Sequence, residues 1–301
     1  MTWLQLRLDT HPDNVTALEA LLLEAGAVAV TLEDNADQAV LEPAVGETPL
    51  WRQIRLTGLY PADTDMHAVL RAFPAALLQQ SNQRVEILED KNWEREWMQH
   101  YRPMRFGRRL WVCPSWLAPP EPQAVNLLLD PGLAFGTGTH PTTALCLCEL
   151  DGMALAGSVV VDYGCGSGIL AVAAVKLGAR RALCVDHDPQ ALAATRDNAN
   201  RNDLPGECLQ VALPEAHHGR EWARRADLVI ANILAGPLLE LSDTLLRFLR
   251  PGGTLLLSGL LATQAQTLCA HYAPHIKLQV AAQRDGWVCL RGRVQKKPAK
   301  A

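Results

Sequence analysis

Apolar and polar residues alternate with period two in WLQLRLD (3–9), the pattern of a strand with one buried face. The period then changes. Residues 13–25 carry helix-spaced apolar positions, with Asp13 placed to cap the helix and Gly26 to stop it. AVAVTLE (27–33) predicts a second strand, 35–49 a polar loop, WRQIRLTGLY (51–60) a third strand, 63–80 a helix and RVEIL (84–88) a fourth strand. The order strand–helix–strand, strand–helix–strand is that of a ferredoxin-like α+β unit. KNWEREWMQHY (91–101) reads as a connecting helix ended by Pro103, with Trp93, Trp97 and Tyr101 on one face. RLWVCPSW (109–116) and AVNLLLD (124–130) are strand-like.

From residue 158 strands and helices alternate. Strands are expected at 158–163, 181–186, 207–211, 226–232 and 253–258, and helices at 168–178, 189–202, 236–249 and 262–272. That alternation predicts a mainly parallel sheet with helices on both faces. Strands at 276–282 and 286–294, joined by Asp285-Gly286, should close the sheet as an antiparallel hairpin. The expected division is a ferredoxin-like unit at 1–90, a connection at 91–108, a Rossmann-like α/β domain at 109–294 and a basic disordered tail at 295–301.

Composition adds three points. No apolar run of about 18 residues occurs, so no membrane span is expected. The eight cysteines are scattered without a CxxC pair, which points to reduced thiols and a cytoplasmic protein. The net charge of −4 is uneven: residues 1–90 hold 5 Lys+Arg against 14 Asp+Glu, and residues 91–301 hold 23 against 18. An acidic front segment suits a basic partner and argues against strong direct nucleic-acid binding, which rests on cationic contacts to phosphate.

The candidate chemistry begins at VVVDYGCGSGIL (159–170). A dinucleotide fingerprint is GxGxxG, with a pyrophosphate at the helix start. Here Gly164, Gly166 and Gly168 give GxGxG instead, and Asp162 stands at the end of the strand, where a carboxylate repels a pyrophosphate and attracts an ammonium group. The loop therefore looks like the S-adenosylmethionine loop of Rossmann-like class I methyltransferases. Asp186, ending the next strand, suits ribose hydroxyls of either kind of nucleotide, and Asp188 before Pro189 suits a helix cap. Asn232 ends the strand ADLVIAN and offers a carboxamide to an amine nucleophile and to the cofactor. The prolines and aromatic that follow such an Asn in base-modifying enzymes are replaced by Ile233-Leu234-Ala235. DPGLAFGTGTHPTT (130–143) reads as a mobile glycine-rich loop running into a helix capped by Thr139 or Thr142 near Pro141, with His140 as a candidate proton acceptor. No metal site is assigned.

EDKNWEREWM, MRFGRRLWVCPSW, LDPGLAFGTGTHPTT, VDYGCGSGIL and ANILAGPL, in this order and spacing, resemble the bacterial methyltransferases of large-subunit ribosomal protein eleven over nearly the whole chain. The resemblance implies methyl transfer from S-adenosylmethionine to lysine ε-amines and the N-terminal α-amine of that protein, free or on the ribosome. It implies substrate recognition by the front unit and places the cofactor residues on Thr143, Gly164, Asp186 and Asn232. No dedicated general base is implied.

Overall fold

The computed structural model describes residues 2–36, 49–79, 81–88, 101–130, 136, 138–214 and 219–295. Contacts divide the chain into two units, residues 1–100 and 101–301.

In the first unit β1 (Trp3–Thr10), β2 (Ala29–Asp34), β3 (Ile54–Pro61) and β4 (Asn82–Leu88) form one sheet in the order β2-β3-β1-β4. All neighbours are antiparallel, the arrangement of a ferredoxin-like unit. Leu6 and Leu8 of β1 alternate inward and meet Leu18 and Leu22 of the helix Val15–Glu24. Gly58 leaves room for that packing: a Cβ there would stand 2.9 Å from Leu22 Cδ2. Tyr60 donates its hydroxyl to Leu22 O at 3.2 Å, and burial pushes its phenol up to about 12.

Two local expectations change here. The first helix starts at Val15, after a 3₁₀ turn at Pro12–Asn14. Asp13 lies inside that turn, its carboxylate 3.2 Å from His11 Nδ1, and caps nothing. The helix expected at 63–80 is two helices, Met66–Ala72 and Ala75–Gln79. Phe73 between them is extended because Pro74 follows it. Most of the expected loop at 35–49 and the connecting helix with Trp93 and Trp97 lie outside the described residues.

The second unit holds a short sheet of β5 (Met104–Phe106), β6 (Leu110–Cys113) and β7 (Val125–Leu128), with β5 antiparallel and β7 parallel to β6. Residues 101–108 thus belong with this unit, and their strand was not foreseen. Asp151 fixes the turn between β5 and β6, accepting from Arg108 N at 2.7 Å and Arg109 N at 3.2 Å.

The large sheet contains β8 (Val159–Tyr163), β9 (Arg181–Val185), β10 (Leu209–Ala212), β11 (Ala226–Asn232), β12 (Leu249–Leu261), β13 (Leu278–Arg284) and β14 (Trp287–Arg293). Their order is β10-β9-β8-β11-β12-β14-β13. The pairs among β8 to β12 are parallel, and β14 runs antiparallel to both its neighbours. Asp285 (φ +50°) and Gly286 (φ +79°) make the expected tight hairpin. Apolar clusters fill both faces, one around Leu147, Val172 and Leu256, the other around Val161, Leu238 and Leu257. The helix expected at 236–249 is interrupted into Ala235–Glu240 and Ser242–Phe248, and β12 begins earlier than expected, at Leu249. The chain reverses its direction of sheet growth between β8 and β11. The crevice at their carboxyl ends is where ligands bind in such sheets.

Candidate active site

β8 is buried along its whole length, so an acid within it is buried too. Asp162 is fully buried and lies beneath the loop, not open to the crevice. Its Oδ2 accepts from Ala171 N of the helix Ile169–Lys176 at 3.1 Å, and its Oδ1 has no partner. Loss of water pushes its carboxyl up to about 7, opposed by the Ala171 hydrogen bond.

The loop that follows carries Gly164, Gly166 and Gly168, all with positive φ. Gly164 N and Cys165 N donate to Val185 O at 2.7 and 3.1 Å. Gly166 N donates to Asp186 Oδ2 at 2.9 Å. These three amides are therefore committed within the protein. A pyrophosphate-binding loop needs such amides free to cradle the anion. The carbonyls are held as well: Thr195 Oγ1 donates to Gly166 O at 2.9 Å and Asn198 Nδ2 to Ser167 O at 2.8 Å, both from the helix Pro189–Arg201. Ser167 Oγ donates to Gly136 O at 2.6 Å, tying the two glycine-rich segments together.

A cavity of about 630 Å³ opens over this loop, lined among others by His140, Gly164, Asp186, Asn232, Ile233 and Trp287. Asp186 stands directly after β9 and also accepts from Asp188 N at 3.1 Å. Asp188 caps the helix Pro189–Arg201 through Gln190 N, as its place before Pro189 predicts. Asn232 ends β11. Its Nδ2 donates to Thr143 Oγ1 at 3.3 Å, and its Oδ1 has no partner. Thr143 is completely buried in the helix Pro141–Asp151 and reaches the cavity only through Asn232. Of the expected site residues, Gly164, Asp186 and Asn232 line the cavity. Asp162, Gly166, Gly168 and Thr143 support the residues that do.

Ile233 links the two halves of the site. A Cβ on Gly164 would stand 2.2 Å from Ile233 Cγ2, and a Cβ on Gly259 would stand 2.2 Å from Ile233 O. Gly259 (φ +87°) belongs to β12, so two glycines far apart in sequence hold the residue next to Asn232 from both sides.

The cap of the helix Pro141–Asp151 is His140, not Thr139 or Thr142. Its Nδ1 accepts from Thr142 N at 3.4 Å and lies 2.7 Å from Thr142 Oγ1. Burial lowers its pKa, so the ring is neutral at pH 7. The ring packs edge-on against Trp287, with centroids 5.0 Å apart. An aromatic wall is therefore present, supplied by β14 instead of the segment after Asn232. Trp287, Gly259, Thr195 and Asn198 carry no motif of their own, and Ser167 lies within the glycine motif without a reading of its own. The spacing of Thr195 and Asn198, three apart on the helix after Asp186, is the one sequence signal that sets them on a shared face.

The family model described as ribosomal protein L11 methyltransferase matches residues 2–295. The ribosomal protein L11 methyltransferase of Pseudomonas aeruginosa (strain LESB58) is 54% identical over 296 residues, covering 97% of this chain and 99% of that one. That of Teredinibacter turnerae is 51% identical over 293 residues, covering 97% of each. The crystal structure of the ribosomal protein L11 methylase of Lactobacillus delbrueckii subsp. bulgaricus superposes with a TM-score of 0.57 at 30% identity, covering 65% of this chain and 100% of that one. The chain belongs to the ribosomal protein L11 methyltransferase family.

Proposed function

We propose that this chain is an S-adenosylmethionine-dependent protein N-methyltransferase acting on lysine ε-amines and the N-terminal α-amine of ribosomal protein L11. The observation that carries this reading is Asn232 Oδ1, a buried acceptor without a partner at the wall of the cavity, with its amide nitrogen fixed by Thr143. The cofactor fits the residues present. The glycine loop has no free amides at 164–166 for a pyrophosphate, Asp186 can accept from ribose hydroxyls, and Asp162 places a carboxyl beneath the loop. When bound, S-adenosylmethionine supplies a methyl group already activated on a sulfonium.

The chain's own task is then to hold an amine in line and neutral. A free lysine titrates near pH ~10.4, and removal of water in a largely apolar cavity lowers that value. Asn232 Oδ1 accepts an N–H of the incoming amine and orients its lone pair. A carboxamide stays neutral at every working pH, so it positions the nitrogen without trapping it as an ammonium ion. Trp287 and Ile233 are part of the cavity wall.

The acidic residues 1–90 suit recognition of a basic ribosomal protein, with 91–108 as the connection, and the enzyme works in the cytoplasm. Among the described residues no helix is long and apolar enough to cross a membrane. The test is incubation of the protein with methyl-labelled S-adenosylmethionine and separated ribosomal components. Label in L11, on amine nitrogens, is expected. Label in RNA or in no component refutes the reading.

A further inference from the structure

A second cavity, of about 780 Å³, opens at the opposite end of the large sheet. It lies at the starts of β8 and β11, where Ser158 and Asp227 line it, and at the end of β14. Asp227 and Asn232 are five residues apart on β11, so the two cavities are separated by roughly 17 Å of strand. The methyl-transfer chemistry makes no use of this end.

Its lining is strongly cationic: Arg250, Lys277, Arg291 and Arg293 against one carboxylate, Asp227. Asp227 is already engaged, accepting from Val159 N at 2.8 Å and paired with Arg250. Arg291 is paired with Glu149 at 2.8 Å. Arg293 gives its Nε to Gly252 O, and among the described residues neither Arg293 nor Lys277 makes an ion pair. Leu278 pairs with Gly292, and continuing that register by one residue brings Lys277, just before β13, opposite Arg293, both exposed. Like charges placed opposite each other destabilise a sheet unless an anion lies between them. At the floor Ser158, only 8% exposed, has a hydroxyl without a partner.

We propose that this groove binds the phosphate backbone of an RNA strand. Arg291 and Arg293 lie two residues apart on one face of β14, about 6.8 Å along the strand, an interval that successive phosphates of an extended strand can match. Guanidinium forks suit phosphate oxygens, and the Ser158 hydroxyl adds a neutral donor. Beyond Gln295 the sequence adds Lys296, Lys297 and Lys300. The acidic balance that argues against phosphate contacts belongs to residues 1–90, whereas residues 91–301 carry the excess of Lys+Arg.

The test is fluorescence anisotropy of the full chain with labelled poly(U) of about 20 nucleotides, titrated with KCl and without methyl donor. Three phosphate contacts predict a slope of log affinity against log salt of about −2, at about 0.7 per contact. The double variant Lys277→Ala, Arg293→Ala should make the slope shallower by about 1.4 and weaken binding at low salt about tenfold. The charge-keeping pair Lys277→Arg, Arg293→Lys should retain most of the affinity. Methyl transfer to free L11 should be unchanged in both, which separates this outcome from failure of the methyltransferase reading. Absence of RNA binding by the unaltered chain, equal binding by the Ala pair, loss of binding in the charge-keeping pair, or equal competition by polyglutamate of the same length would each overturn the proposal.

Discussion

Replacing Asp162 by Asn should stabilise the protein at neutral pH. The carboxyl is fully buried and its pKa rises from 3.8 to about 7 through loss of water. A raised acid favours the folded state only while protonated. Its contribution is fully present below pH 3.8, the unfolded value, and is lost progressively as pH rises to about 7. A shift of about three units at about 1.4 kcal/mol each makes the loss about 4 kcal/mol, complete above pH 7. Asn reproduces the protonated acid closely. Its amide oxygen can accept from Ala171 N, and its NH2 takes the place of the unpartnered Oδ1, at a cost of about 1–3 kcal/mol shared with the protonated acid. The two proteins should therefore be similar near pH 4. The variant should gain about 1.4 kcal/mol on the parent per pH unit up to about pH 7. Urea unfolding at several pH values measures the difference, and the subtraction removes His140, whose lowered pKa acts in the opposite direction in both proteins. Parallel stability curves for the two proteins would refute the titration argument.

Asn232→Ala should lower methyl transfer on the order of a hundredfold, with stability changed by about 1 kcal/mol, as judged by initial rates and urea midpoints; normal turnover would remove Asn232 from the mechanism. Gly259→Ala forces a Cβ to within 2.2 Å of Ile233 O and places a side chain at φ +87°. The combined overpacking and left-handed cost is about 2–5 kcal/mol, a fall in Tm on the order of 10 °C by scanning calorimetry, with turnover falling further than cofactor affinity. An unchanged Tm would show that Ile233 is not held as described.

The parts of this fold that were legible in the sequence are those set by local period and by turn chemistry. β1 and β8 to β11 follow their apolar patterns, and Asp285-Gly286 makes its hairpin. The departures arise where one residue overrides the pattern. Pro74 divides a helix whose apolar spacing continues through it. Pro141 holds His140 extended, so the ring rather than a threonine hydroxyl becomes the cap. Within the site, Gly164, Asp186 and Asn232 were placed because each ends a strand at the same edge of the sheet. Trp287 and Gly259 were not, because they reach the cavity only through the pairing of β14 with β12. Nothing local to DGW or SGL records that partnership.

The arrangement also explains why donor loop and acceptor residue behave as one site. The glycine loop is fixed from beneath by Val185 O, from one side by Asp186 and from the other by Thr195 and Asn198. Asn232 is fixed by Thr143 and by the backbone that leads into Ile233. Ile233 fills the space that a side chain at Gly164 or Gly259 would need. A shift of the loop therefore moves Ile233, the chain neighbour of Asn232, whose carboxamide orients the amine. Distances between a reacting methyl and nitrogen tolerate little error: a misplacement of about 1 Å can cost about a hundredfold in rate. A packed isoleucine between two glycines transmits position more rigidly than a flexible polar side chain could, since close-packed interiors yield little. On this view the glycines of the site serve two ends. Those of the loop turn the chain, and Gly164 with Gly259 sets the register between the residues that hold the donor and the one that holds the acceptor.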